Sequence, residues 1–192
     1  MGKDMGYAPC TPSACMKVLE HYGIDCTGKK VVVIGRSLVV GKPAAMMLLK
    51  KNATVTVCHT RTVDMPSVVK EADIVVVAAG KAGVIDGNYL REGQIVIDVG
   101  INVNEEGKLC GDVNFEEAEK IVDAITPVPR GVGGVTTSIL LEHVWMLQLY
   151  RTDRDLRGRE NEEDRFRKWN SNREHSWSGS SDACCPAVKS AV

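Results

Sequence analysis

The residues best placed to do chemistry lie in one short stretch, Gly35-Arg36-Ser37-Leu38-Val39-Val40-Gly41-Lys42-Pro43. It follows the apolar run Val31 to Ile34 and precedes a segment with helical spacing. A buried strand that ends in glycine and turns at once into a helix leaves backbone N–H groups free at the strand's carboxyl end, where a phosphate can sit. Arg36 adds a guanidinium fork inside the turn and Ser37 a hydroxyl. The spacing from Gly35 to Gly41 departs from the common dinucleotide fingerprint, and a purely structural strand-to-helix turn would use the same glycines. The Arg-Ser pair favours a ligand-holding turn, since a structural arginine is more at home on a solvated helix face.

The end of the next strand sharpens the ligand. A chain selective for NAD places a carboxylate there to bind the ribose 2′-hydroxyl. Here Cys58 is followed by His59-Thr60-Arg61-Thr62, and the first carboxylate is Asp64. Guanidinium and hydroxyl donors suit a 2′-phosphate dianion. Arg36 and Thr60, with Arg61 beside them, therefore predict NADP rather than NAD. His59 counts through its position alone. Ala79-Gly80 and Asp98-Val99-Gly100-Ile101-Asn102 end two further apolar strands, and small residues there allow a flat ligand to approach the backbone. Asp98 is either a catalytic carboxylate or, as the commoner use, an acceptor for loop amides. Pro127 to Thr136 is a second glycine-rich loop before a helix. His21, His59, His143 and His175 share no ligand spacing with one another or with cysteines, so no metal site is expected. No serine-hydrolase elbow or triad order is present.

These residues require a scaffold that brings strand ends to one edge. Strand-like and helix-like segments alternate from residue 9 to residue 150. Expected helices are one capped by Thr11 with Pro12 in its first turn and ended by Gly23, one starting at Pro43 with Ala44, Met47 and Leu48 buried, and Met65 to Glu71. Further ones are a weak Ile85 to Arg91, Phe115 to Val122 and Thr136 to Tyr150, the last with Leu140, Val144 and Leu147 on one side. Expected strands are Val31 to Ile34, Thr54 to Cys58, Ile74 to Ala79, Ile95 to Val99 and a short Ile125 to Val128. Strands that are apolar throughout are covered on both faces. The prediction is an α/β fold with a Rossmann-like, doubly wound parallel sheet.

Composition bounds the class. The chain has 192 residues, a net charge of −1 and a 44% hydrophobic content. That gives no electrostatic basis for nucleic acid or an anionic membrane, and no run is long enough to span a bilayer. Seven cysteines without a C-x-x-C pair suit a reducing compartment, so a cytoplasmic location is expected. Residues 151–192 are charged and poor in aliphatic side chains, with Trp169 and Trp177 as large anchors, and are expected to be a disordered or loosely docked, low-hydrophobicity tail after the 9–150 domain. Residues 1–8 are read as the remnant of a preceding segment.

Several motifs in order resemble one family: Pro9-Cys10-Thr11-Pro12, Gly35-Arg36-Ser37-x-x-Val40-Gly41-x-Pro43, Asp98-Val99-Gly100-Ile101-Asn102, Gly111-Asp112-Val113 and Thr126-Pro127-Val128-Pro129-x-Gly131-Val132-Gly133. This pattern is similar to the bifunctional methylenetetrahydrofolate dehydrogenase/methenyltetrahydrofolate cyclohydrolase family, over about Gly6 to Val144. The resemblance implies a cofactor domain in which Gly35, Arg36, Ser37, Gly41, His59, Thr60, Ala79, Gly80, Ile101 and Thr136 bind NADP. It implies that Pro129, Gly131, Val132 and Gly133 border the folate substrate, and that the cofactor domain forms a homodimer. The family's folate domain, with its catalytic lysine, is expected to be missing, so no catalytic residue is assigned. Arg130 and Gly134 stand where the family loop has glycine and proline, and Ala14 where it has glycine. A competing reading is a non-catalytic Rossmann scaffold that binds a partner.

Overall fold

A computed structural model describes residues 6–156 and 189–190 of the chain. Five parallel strands form its centre: β1 (Lys30–Ile34), β2 (Thr54–Cys58), β3 (Ile74–Val77), β4 (Ile95–Asp98) and, after a two-stranded hairpin β5 (Asn102–Val103) and β6 (Leu109–Cys110), β7 (Ala124–Ile125). Their order is β2-β1-β3-β4-β7, with a two-residue strand β8 (Lys189–Ser190) antiparallel to β7 at the edge. Helices α1 (Cys10–His21), α2 (Gly41–Lys50), α3 (Met65–Lys70), α4 (Phe115–Ala118) and α5 (Val132–Leu156) complete the described elements with a 3-10 turn at Gly87–Tyr89.

Alternation along the strands explains why they are apolar throughout. Val31 and Val33 of β1, Ile74 and Val76 of β3 and Ile97 of β4 point into one core, together with Leu19 of α1 and Leu48 of α2. Val32, Ile34, Val75, Val77 and Val96 point into the other, with Val69 of α3 and Ala118 of α4. A period of two with both faces covered explains the unbroken apolar runs Val31–Ile34, Ile74–Val77 and Ile95–Ile97. The doubly wound fold is therefore as expected.

The elements differ from the sequence expectation where polar groups decide. α1 begins at Cys10, with the Ser13 N–H donating to the Pro9 carbonyl, so Thr11 lies inside the helix and not at its cap. Gly23, with φ of +65°, ends it as expected. The expected helix Ile85 to Arg91 is only the 3-10 turn, because Asp86 accepts from the Asn88 N–H and closes a tight local turn. α4 stops at Ala118. α5 begins at Val132, four residues before the expected start, so part of the second glycine loop is helical.

The chain divides into two units, one holding the sheet (to Ile139, with Cys185–Val192) and one of Leu140–Cys184. The described part of the latter is the remainder of α5, on which Leu140, Val144 and Leu147 share a side and are exposed. α5 runs through residue 150 to Leu156, so the composition change does not coincide with an element boundary. Trp169 and Trp177 lie outside the described residues. No described helix is long and apolar enough to cross a membrane.

Candidate nucleotide-binding edge

The carboxyl ends of β1 and β3 are neighbours, and the connections from them leave in opposite directions along the sheet. In an open α/β sheet this switch point is where the crevice lies. Gly35 follows β1 here with φ of +118°, a region L side chains rarely adopt, and a Cβ on it would overlap the Ala78 carbonyl oxygen after β3. A Cβ on Gly41, the first residue of α2, would in turn overlap the Gly35 carbonyl. The two glycines are thus packed backbone on backbone. The turn is closed by Ser37, whose Oγ accepts from the N–H groups of Val40 at 3.0 Å and Gly41 at 3.4 Å. That leaves the Ser37 hydroxyl proton to donate outward. Arg36 is exposed and makes no hydrogen bond or ion pair among the described residues.

β2 lies on the other side of β1 and brings His59 and Thr60 to the same edge. His59 closes this second turn: its N–H donates to Thr62 Oγ1 at 2.9 Å, and its Nδ1 accepts from the Arg61 N–H at 3.1 Å. Thr60 and Arg61 are exposed. The His59 ring is thus engaged with local backbone through Nδ1.

Asp98, which reads from sequence as ambiguous, forms a clasp together with Asp112. Asp98, at the end of β4, is buried and accepts from the N–H groups of Gly100 (2.8 Å), Asp112 (3.1 Å) and Val113 (3.0 Å). Asp112, also buried, accepts from the N–H groups of Gly80 (2.8 Å) and Lys81 (3.0 Å) and from Asn102 Nδ2 (2.8 Å). The glycines of both motifs are explained by the same contacts. A Cβ on Gly111 would strike the Asp98 carboxylate, and one on Gly100 would strike Asp112. The clasp ties the loop after β3 to the hairpin after β4, so Ala79, Gly80 and Ile101 are held by one network. Burial pushes the Asp98 carboxyl up to about 6 against the lowering effect of its three backbone donors. Asp98 is a positioning group. The role of Asp112 had no signal in the sequence beyond its place in Gly111-Asp112-Val113, because its partners lie about ten and thirty residues away.

A cleft of ≈ 570 Å³ opens beside this edge, lined among others by Val40, Ile101, Pro127, Val132 and Thr136. Pro129, Gly131 and Gly133 also line it, so every residue expected to border a substrate falls in one place. Of the residues expected to bind cofactor, only Ile101 and Thr136 line this cleft, while Gly35, Arg36, Ser37, Gly41, His59, Thr60, Ala79 and Gly80 lie along the strand ends outside it. Thr136 Oγ1 donates back to the Val132 carbonyl at 2.9 Å. The Val128–Pro129 peptide is cis, and Arg130 has φ of +76°. A Cβ on Gly131 would overlap the Pro127 carbonyl, which fixes the loop. Among the described residues no cluster of His, Cys, Asp or Glu could hold a metal ion.

Comparison with known proteins agrees with this geometry. The family model "Tetrahydrofolate dehydrogenase/cyclohydrolase, NAD(P)-binding domain" matches residues 9–152. The bifunctional protein FolD of Clostridium botulinum (strain Langeland) is 59% identical over 139 residues, which are 72% of this chain and 49% of that protein. The crystal structure of the bifunctional FolD enzyme from Campylobacter jejuni has a TM-score of 0.72 at 49% identity, covering 74% of this chain and 50% of that one. That of Trypanosoma brucei FolD, complexed with NADP cofactor and inhibitor, has a TM-score of 0.66 at 44% identity, covering 71% and 48%. The chain spans about half the length of the curated relatives it matches. Strand order, the glycine-locked turn and these matches together place the chain in the tetrahydrofolate dehydrogenase/cyclohydrolase family, as that family's NAD(P)-binding domain.

Proposed function

We propose that this chain is the NADP-binding half of a methylenetetrahydrofolate dehydrogenase/methenyltetrahydrofolate cyclohydrolase, with residues 9–150 as the cofactor unit. The observation that carries the reading is the turn at the β1/β3 switch point, where Gly35 and Gly41 are packed backbone on backbone and leave no room for a side chain, so that a nucleotide can lie close against the chain. Arg36, with no partner among the described residues, and the exposed hydroxyl of Thr60 suit the adenosine 2′-phosphate. Ser37 donates its free proton beside them, and His59 holds the Thr60 turn in shape. Ala79 and Gly80 let the ligand lie against the backbone. Ile101 and Thr136 then border the nicotinamide, and Pro129, Gly131, Val132 and Gly133 the folate.

Bound NADP would supply a hydride acceptor for the methylene carbon of the folate. The chain's own part is to bind, orient and exclude water: Val40, Ile101 and Val132 give the cleft an apolar wall. Asp98 is committed to three backbone donors, so it holds the hairpin and moves no substrate proton. With no acid or base assigned, the chain alone binds cofactor and turns over little. A homodimer through this unit, a cytoplasmic location and a place in purine biosynthesis belong to the same proposal. Cys15, Cys26, Cys58 and Cys110 are free thiols, which suits a reducing compartment.

Calorimetric titration tests the reading. NADP is expected to bind with a Kd of about 1–100 μM and NAD about tenfold more weakly, because the 2′-phosphate adds a charge-assisted contact. Arg36→Ala is expected to erase most of that preference. A folded sample that takes up no NADP overturns the proposal, and equal affinity for the two cofactors removes the roles of Arg36 and Thr60.

A further inference from the structure

The cleft beside the nucleotide edge contains a charge that the cofactor reading does not use. Of its lining residues only Asp98 and Arg130 are charged. The Asp98 carboxylate is buried and accepts from three backbone N–H groups, so it offers nothing to a ligand. Arg130 is exposed, and its guanidinium has no hydrogen bond or ion pair among the described residues. It is therefore the cleft's one available formal charge.

Its backbone conformation costs energy. Arg130 has φ of +76°, where a side chain is strained and glycine is not. The loop cannot easily relax around it, because Pro129 precedes it and Gly131 is packed on the Pro127 carbonyl. A strained, unpaired cation facing a cleft is the kind of feature that persists when a ligand answers it. The cofactor phosphates, on the reading above, belong to the Gly35–Gly41 turn and Arg36, outside this cleft, while Ile101 and Thr136 border the nicotinamide. Arg130 then lies on the substrate side.

We infer that Arg130 is a specificity-determining residue that binds a carboxylate of the substrate, which for a folate is one of its glutamate carboxylates. The inference rests on the proposed cofactor and substrate reading. Guanidinium–carboxylate pairing is planar and bidentate, so an arginine serves this better than a lysine.

The test is a titration of the full chain, saturated with NADP, using tetrahydrofolate and its diamide, in which both glutamate carboxylates are blocked. The wild-type chain is expected to bind the acid about tenfold more tightly than the diamide. R130G is expected to bind both alike, at the weaker level, and R130K to fall between. R130G folds with at least wild-type thermal stability, since glycine takes this φ freely, so a loss of binding cannot be ascribed to misfolding. Equal binding of acid and diamide by the wild type, undiminished acid binding by R130G, or no folate binding to the NADP-loaded chain overturns the inference and leaves the cofactor reading standing. Failure of the initial NADP saturation instead overturns the cofactor reading, and this inference with it.

Discussion

Two glycine-containing loops meet at the carboxyl edge of the sheet, and they obey different constraints. In the turn from β1 to α2, Gly35 and Gly41 are each pressed against a carbonyl oxygen, so the backbone itself excludes any side chain. In the loop from Pro127 to Gly134, only Gly131 is so enclosed, and a Cβ on Gly134 would meet open space. Arg130 holds a left-handed conformation there at some cost. The first loop is fixed by packing. The second has freedom at positions 130 and 134, the two places where the resemblance implies that the family loop carries other residues.

The largest expected effect breaks the first loop. Gly35→Ala combines a clash with the Ala78 carbonyl and a forbidden φ, and should cost about 3 kcal/mol or more of stability, together with NADP binding. Urea unfolding and cofactor titration measure both. An alanine variant as stable as wild type would mean that the two loops do not differ in the way described.

A smaller effect concerns the clasp that joins the two sides of the edge. The Asp98 carboxyl stands at about 6 in the folded protein, raised by burial. Its unfolded value is near 4, so the folded state takes up the extra proton between about pH 4 and 6. The contribution of Asp98 to stability is then fully present below about pH 4 and declines as pH rises to 6, by about 2 kcal/mol. Asp98→Asn should flatten this part of the profile, and the difference between the two proteins removes every other titrating group. Parallel profiles would show that Asp98 titrates at its ordinary value.

The smallest effect sharpens the second loop. Arg130→Gly relieves the strained φ and should raise stability by about 1 kcal/mol, seen as a higher Tm. A destabilised variant would mean that the arginine side chain packs in a way that outweighs its backbone cost.

The parts of this molecule that could be read from sequence are those set by local pattern. The strands from Val31, Ile74 and Ile95 were evident because both of their faces are buried, leaving an unbroken apolar run. The Gly35–Pro43 turn was evident because a glycine between an apolar strand and a helix has few alternative uses. Long-range satisfaction of polar groups was not legible. The β5–β6 hairpin has no apolar alternation to announce it: Val103 and Leu109 are exposed, and the hairpin is tied at its base by Asp98 and Asp112, which flank it and bond to each other's segment across it. The α1 and α4 boundaries and the 3-10 turn at Gly87–Tyr89 were likewise decided by individual hydrogen bonds rather than by periodicity. For the candidate site, residue types are legible in the sequence, but only the fold separates the cleft group at Ile101, Pro129 and Gly133 from the strand-end group at Gly35, Arg36 and Thr60.

The most direct test is to follow the backbone amide signals of the full chain during an NADP titration. Saturable shifts are expected at residues 35–41, at Thr60 and at Ile101 and Thr136, with the loops at the opposite end of the sheet, such as Thr27-Gly28 and Gly93, unmoved. A dispersed, folded spectrum with no shifts, or with shifts confined to that opposite end, would contradict the NADP-binding proposal.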